Sequence, residues 1–205
     1  MATLDDIVNV QIDLNTAAVG RANFGTICVF AQQVGTHTAG KVETYQRFAD
    51  VPADVPAVAR GMIQAIFSQH PRASQVKVAY VADAGALTAE DLQKALDSDN
   101  RWYCAVIAHA SQNQQDFAKA LEATRHLLVL TVAESVQGVA IARALKTLNL
   151  YRTAVIASSD INTGAAWAAR SLGYQAGSET WALKRLAGVT ASTMSATLEG
   201  QLQEQ

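Results

Sequence analysis

The chain has 205 residues, half of them apolar and 17% charged, with a formal net charge of −2. That length and composition suffice to bury a sizeable core without disulfide or metal staples. No block of Lys or Arg is present, which argues against a nucleic-acid or membrane-surface patch, and no apolar run approaches the ~20 residues of a membrane helix.

The first residues, Met1-Ala2-Thr3-Leu4-Asp5-Asp6, are acidic and lack the basic start and apolar stretch of a secretory signal. A cytoplasmic protein is expected. Residues 8–14 then alternate strictly: Val8, Val10, Ile12 and Leu14 are apolar, while Asn9, Gln11 and Asp13 are polar. This predicts a half-buried strand, which needs a partner strand in its own chain or in a neighbour's. Residues 1–23 are therefore read as an N-terminal arm.

After Phe24-Gly25-Thr26, residues 27–31 predict a strand and Val42–Tyr45 a short one. Pro52 and Pro56 bracket a break. Residues 57–69 predict a helix, with Val58, Met62, Ala65 and Ile66 on one face. Pro71 ends it. Four apolar runs follow: Val76–Val81, 102–108, Leu127–Val132 and 152–157. Each is too short for a buried helix, rich in β-branched or aromatic residues, and followed by a helical segment. That is the pattern of buried parallel strands with crossover helices.

Thr88 with Asp91, and Ser111 with Gln114, have the spacing of capping boxes. Leu92 and Leu96 face the core from the first of these helices, and Phe117, Ala120, Leu121 and Thr124 from the second. The helix over 136–148 is apolar nearly all round and is expected to be covered on more than one side. The helix over 162–172 carries Ala165, Ala166, Ala168 and Ala169, small enough for close approach to a sheet, and Gly173 stops it. A further helix is expected from Thr190. It runs to the last residue without a cap, which suggests a truncated terminus.

The fold class is therefore α/β: an open, mostly parallel sheet with flanking helices, plus an N-terminal β-strand arm. The divisions are the arm (1–23), the α/β core (24–189) and a truncated carboxyl-terminal helix (190–205). Cys28 and Cys104 both lie in strand-like runs. They are most simply small buried hydrophobes, and nothing in their spacing demands or forbids a disulfide.

Open α/β sheets bind ligands at the carboxyl ends of their strands. Here those ends carry Asp83, His109, Glu134, Ser158, Ser159 and Asp160. Such a row could hold a cation or act as acid and base, but polar residues at helix starts also cap free N–H groups in every α/β protein. No GxGxxG, GxxxxGK[ST] or GxSxG motif is present, and His37, His70, His109 and His126 show no zinc spacing. No catalytic residue, cofactor site or metal site is assigned.

Three stretches together resemble the sheath proteins of contractile phage tails. The first is Ile7-Val8-Asn9-Val10-Gln11-Ile12, with Thr16, Val19 and Phe24-Gly25-Thr26. The second is Ala65-Ile66-Phe67-Ser68-Gln69-His70-Pro71, leading into the strand at Val76. The third is Trp181-Ala182-Leu183-Lys184 with Leu186-Ala187-Gly188-Val189-Thr190. The resemblance implies a non-enzymatic subunit that assembles with its own copies into stacked hexameric rings around a tail tube. Baseplate and tube proteins are the implied partners, with no nucleic acid and no membrane insertion. The implied location is the virion tail, reached after assembly in the host cytoplasm. It further implies that terminal arms add strands to a neighbour's sheet, with Val8, Val10, Ile12 and Leu14 as the self-assembly strand. Similar sheath chains continue into a carboxyl-terminal domain missing here, so a fragment or shortened chain is expected. The competing expectations are a small-molecule-binding or hydrolytic domain using Asp83, Glu134 and Asp160, and a generic cytoplasmic interaction module.

Overall fold

A computed structural model describes residues 24–109, 114–174, 180–182, 184–192, 195–197 and 200. Six strands form one sheet: β1 (Ile27–Gln32), β2 (Val42–Tyr45), β3 (Val76–Val81), β4 (Cys104–Ile107), β5 (Leu127–Val132) and β6 (Thr153–Ala157). Their spatial order is β2-β3-β1-β4-β5-β6. All neighbours pair parallel except β2, which runs antiparallel to β3. Without β2, the parallel strands have the doubly wound order of flavodoxin-like sheets, switching direction between β1 and β4.

Five helices cover the two faces: α1 (Ala57–Phe67), α2 (Ala89–Ser98), α3 (Gln115–Glu122), α4 (Val136–Lys146) and α5 (Thr163–Leu172). The period-2 alternation of each strand decides which face a side chain joins. Ile27, Val29, Val76, Val78, Cys104 and Val106 pack with Met62, Ile63 and Ile66 of α1 and Ala165, Ala168 and Leu172 of α5. Cys28, Phe30, Ala79, Ala105 and Ile107 pack on the other face with Leu92 of α2, Phe117 and Leu121 of α3 and Leu145 of α4. The two thiols therefore point to opposite faces, and both are free. Register rules out the disulfide that spacing had left open.

The α/β expectation holds, strand by strand, with ends within about two residues. Thr88 and Asp91 form the expected capping box. The small residues of α5 act as anticipated: a Cβ at Gly164 would lie 2.5 Å from Thr131 Oγ1 on β5. Other details differ. Of the expected face of α1, Met62, Ala65 and Ile66 are buried, whereas Val58 is 38% exposed and Ala59 and Ile63 are buried in its place. Gln114 is itself the N-cap position of α3 and makes no side-chain cap bond. The helix starts too late for Ser111, outside the described residues, to pair with Gln114 in a capping box.

The expectation for α4 also needs correction. Only Gly138, Val139 and Leu145 are buried, and Val136 is 72% exposed. Its neighbour β6 is the last strand of the sheet among the described residues, and no described element covers α4 on a second side. Thr190 does not open a helix: 190–192 run irregularly, and helical backbone appears at 196–197. The expected strand over 8–14 lies outside the described residues. Among the described residues, no helix is long and apolar enough to cross a membrane.

Candidate functional site

The polar row at the carboxyl ends of the strands does not converge. From β3 to β6 there are four strand spacings, about 19 Å in all, which separates Asp83 from Asp160. Asp83, Ser158 and Asp160 are also locally engaged. Asp83 Oδ1 accepts from Gly85 N at 2.7 Å. Ser158 Oγ, on a buried residue, lies 2.8 Å from Thr163 Oγ1 and accepts from Asp160 N at 3.1 Å. Asp160 accepts from Asn162 N through Oδ1 and from Thr190 N through Oδ2, both at 2.9 Å. His109 and Ser159 are exposed. Glu134 is half-buried, and its Oε1 has no hydrogen-bond partner among the described residues.

A cleft of ≈ 210 Å³ opens there beside Thr131, Ser135, Gly138, Ser158 and Ser159. Its hydroxyls serve the backbone: Thr131 accepts from Gly164 N and Ser135 from Gly138 N. At the switch point, Gln32 donates to Ala82 O and accepts from Ala84 N, tying the end of β1 to the loop after β3. Among the described residues, no group of three or more His, Cys, Asp or Glu is placed to hold a metal ion.

Two buried polar clusters escaped notice in the sequence. His37 is 6% exposed and stacks on Tyr80 with ring centroids 4.1 Å apart. Its Nδ1 lies 3.1 Å from Glu43 Oε1 and its Nε2 3.4 Å from Asp54 Oδ1. Tyr45 Oη donates to Glu43 and lies 3.2 Å from Tyr80 Oη. Burial pushes the Tyr80 phenol up to about 12, so the cluster stays protonated at its phenols. It ties the loop after β1 to β2, β3 and the 51–55 loop. The other cluster surrounds Lys77, which is 2% exposed inside β3 and paired with Asp99. Burial opposes the charge on Asp99, but bonds from Arg101 and Lys77 outweigh it and hold the carboxyl well below its usual range. A lysine within a run such as Val76-Lys77-Val78 was the available signal, because a buried ammonium requires a counterion.

A third arrangement joins distant stretches. Residues 181–182 and 184–190 lie as a strap against the ends of α1 and α5. Trp167 Nε1 donates to Trp181 O at 3.1 Å, and the two indoles meet edge to face at 5.5 Å. Gln69 is buried just beyond α1. Its Nε2 donates to Ala65 O and to Ala187 O, each at 2.7 Å, and its Oε1 accepts from Ala187 N at 3.1 Å. The Gln69 side chain thus pairs with Ala187 as a strand neighbour would. The Asp160–Thr190 bond fixes the far end of the strap.

The last feature is the β6 end of the sheet. β2 covers the outer edge of β3, whereas among the described residues β6 has a neighbour only in β5. All five residues of β6 are half-buried. Leu128 N donates to Arg152 O and Ser158 N donates to Val132 O, so by strand alternation Thr153, Val155 and Ala157 direct their backbone groups outward. Beside them a groove of ≈ 400 Å³ is lined by Leu145, Leu150, Tyr151 and Val155 together with the polar Lys146 and Asn149. Tyr151 is 93% exposed. Comparison with known proteins finds no family model and no curated protein that matches the chain.

Proposed function

We propose that this chain is a structural subunit, or a piece of one, of a contractile phage tail sheath, assembling around the tail tube and contracting to drive it through the host envelope. The observation that carries the proposal is the pairing of Gln69 with Ala187, 118 residues apart. It joins two of the three stretches in which the sequence resembles sheath proteins, 65–71 and 181–190. Stretches that resemble one family by chance have no reason to meet. The local engagement of Asp83, Ser158 and Asp160, and a β6 edge without a further strand among the described residues, support an assembly role over a ligand-binding one.

In this role the partners are further copies in hexameric rings, the tail tube and the baseplate, and the place of action is the virion tail. Terminal arms link subunits by adding strands to a neighbour's sheet. The work of contraction is stored in subunit packing, with no nucleotide consumed and no catalytic site required. Negative-stain electron microscopy of the full-length gene product tests the proposal. Tubes or stacked rings are expected, and deletion of residues 1–16 is expected to abolish them while the core stays folded. A product that remains dispersed across salt and crowding conditions overturns it.

A further inference from the structure

We propose that His37 is a pH-operated latch: as an imidazolium it ties Glu43 of β2 to Asp54 of the 51–55 loop through its two ring nitrogens, and on losing a proton it keeps Glu43 and releases Asp54. The device lies within one folded chain and does not depend on the sheath proposal.

A neutral imidazole carries one N–H, and its other ring nitrogen is an acceptor; an ionised carboxylate only accepts. Nδ1 of His37 lies 3.1 Å from Glu43 Oε1, and Nε2 lies 3.4 Å from Asp54 Oδ1. Both contacts are hydrogen bonds only while both nitrogens bear a proton. Once one proton is gone, a nitrogen lone pair faces a carboxylate oxygen and that contact turns repulsive. The ring is buried and stacked on Tyr80, which leaves it little room to turn away.

The surroundings decide which contact fails. The Glu43 contact is the shorter, and Glu43 is held through its other oxygen by Tyr45 Oη. Asp54 is exposed, so its carboxylate can turn to water. The Nε2 proton therefore leaves to solvent past Asp54, and the ring stays on Glu43 as the Nδ1–H tautomer. Gly35 shapes the Asp54 side. Its φ is +59°, and a Cβ there would lie 2.7 Å from Asp54 Oδ2. A glycine at this turn lets the carboxylate come in over the loop that carries His37.

The other ionisable groups around the ring hold their charge states. Glu43 and Tyr45 face it from β2, Tyr80 from β3 and Asp54 from the 51–55 loop. Burial pushes both phenols up, Tyr80 to about 12, so both stay protonated. Lys41 of the same loop is exposed. Lys94 of α2 packs its stem against Gly40 and places its ammonium on Glu90. His37 is thus the member of the cluster whose side-chain type changes charge between about pH 5 and 8. On the acid side the loop after β1 and the 51–55 loop are joined. On the alkaline side they part, while Arg60 still holds the second loop by donating to Val51 O and Pro52 O.

Ring nitrogen NMR shifts of His37 and amide exchange, both on the full chain at about pH 5.5 and about pH 8, test the latch. Both ring nitrogens are expected to be protonated at the lower pH, and Nδ1 alone at the higher. The His37 amide donates to Val34 O and the Val55 amide to Pro52 O. After correction for the intrinsic pH dependence of exchange, their protection is expected to fall about tenfold at the higher pH, as one charge-assisted hydrogen bond is lost. Asp54→Asn offers an N–H to the bare Nε2 and a carbonyl to the protonated one, and is expected to make protection equal at the two pH values. A ring that keeps one charge state across this range, a neutral Nε2–H tautomer, or unchanged protection in the unaltered chain overturns the proposal. A loss of protection that persists in Asp54→Asn overturns it as well, because the release then comes from another group.

Discussion

Replacing Gln69 with alanine asks whether the strap around Ala187 is held by the end of α1 or only lies against it. Gln69 is 3% exposed and makes three hydrogen bonds, one to Ala65 O and two to the backbone of Ala187. At about 1 kcal/mol net for each bond, the ceiling for the loss is about 3 kcal/mol. The cost in global stability should be smaller. Ala187 is exposed, so its N–H and C=O regain water when the strap lifts, and only the Ala65 carbonyl and the vacated side-chain volume remain as losses to the core. Global stability is therefore expected to fall by about 1–2 kcal/mol in urea denaturation. The opening of the strap loses both Ala187 bonds, about 2 kcal/mol, which speeds amide exchange at Ala187 by about 30-fold. The Thr190 amide, held separately by Asp160, is expected to speed up less. Unchanged exchange at Ala187 together with a full 3 kcal/mol global loss would refute this reasoning, since Gln69 would then be a core residue with no hold on the strap.

Asp99→Asn leaves the Lys77 ammonium buried without its counter-charge and is expected to cost about 3–5 kcal/mol, partly recovered by adding Lys77→Met; denaturant titration of the single and double variants checks it. Acid sensitivity should arrive in two stages. Burial lowers the pKa of His126, whose ring lies against Trp102, so its contribution is full above the unfolded value near pH 6.5 and declines as pH falls below it. Asp99 is likewise depressed, and its contribution is lost only below about pH 4, as seen by thermal melts across pH, with the first stage absent in His126→Phe. Cys28 and Cys104 are fully buried and their thiols are pushed up by that burial, so a thiol reagent should label neither until the chain unfolds. Gly138→Ala normally favours a helix by about 1 kcal/mol, but here the new Cβ would sit 1.9 Å from Ala133 O, so melting is expected at a lower temperature instead.

Periodicity made most of the fold legible because each strand run is short, apolar and closed by polar residues. Val76–Val81 and Leu127–Val132 were readable to the residue, and Thr88 announced α2 through its capping spacing. The misplacements came from features that depend on neighbours. Val58 shares a helical face with Met62 by repeat, yet the sheet meets α1 slightly further round, at Ala59 and Ile63. The composition of α4 suggested burial on more than one side, but whether a second side is covered depends on where the sheet ends. The His37 and Lys77 clusters bring together residues far apart in the chain, such as Lys77 and Asp99 or His37 and Asp54, and no local spacing encodes such meetings.

The two ends of the sheet show what the apolar excess of α4 means. At the β3 end the chain supplies β2, whose antiparallel pairing occupies the outer edge, and the His37 cluster ties that addition down with Glu43, Tyr45 and Tyr80. At the β6 end no such strand or polar tie is present among the described residues, and the helix beside it has apolar surface to spare. One edge is thus closed by β2, which passes over β1 to pair with β3, and the other has no such cover among the described residues. A sequence that covers one edge and leaves the other bordered by a groove fits a sheet built to receive a seventh strand. The alternating Val8, Val10, Ile12 and Leu14 form the segment outside the described residues with the pattern such a strand requires.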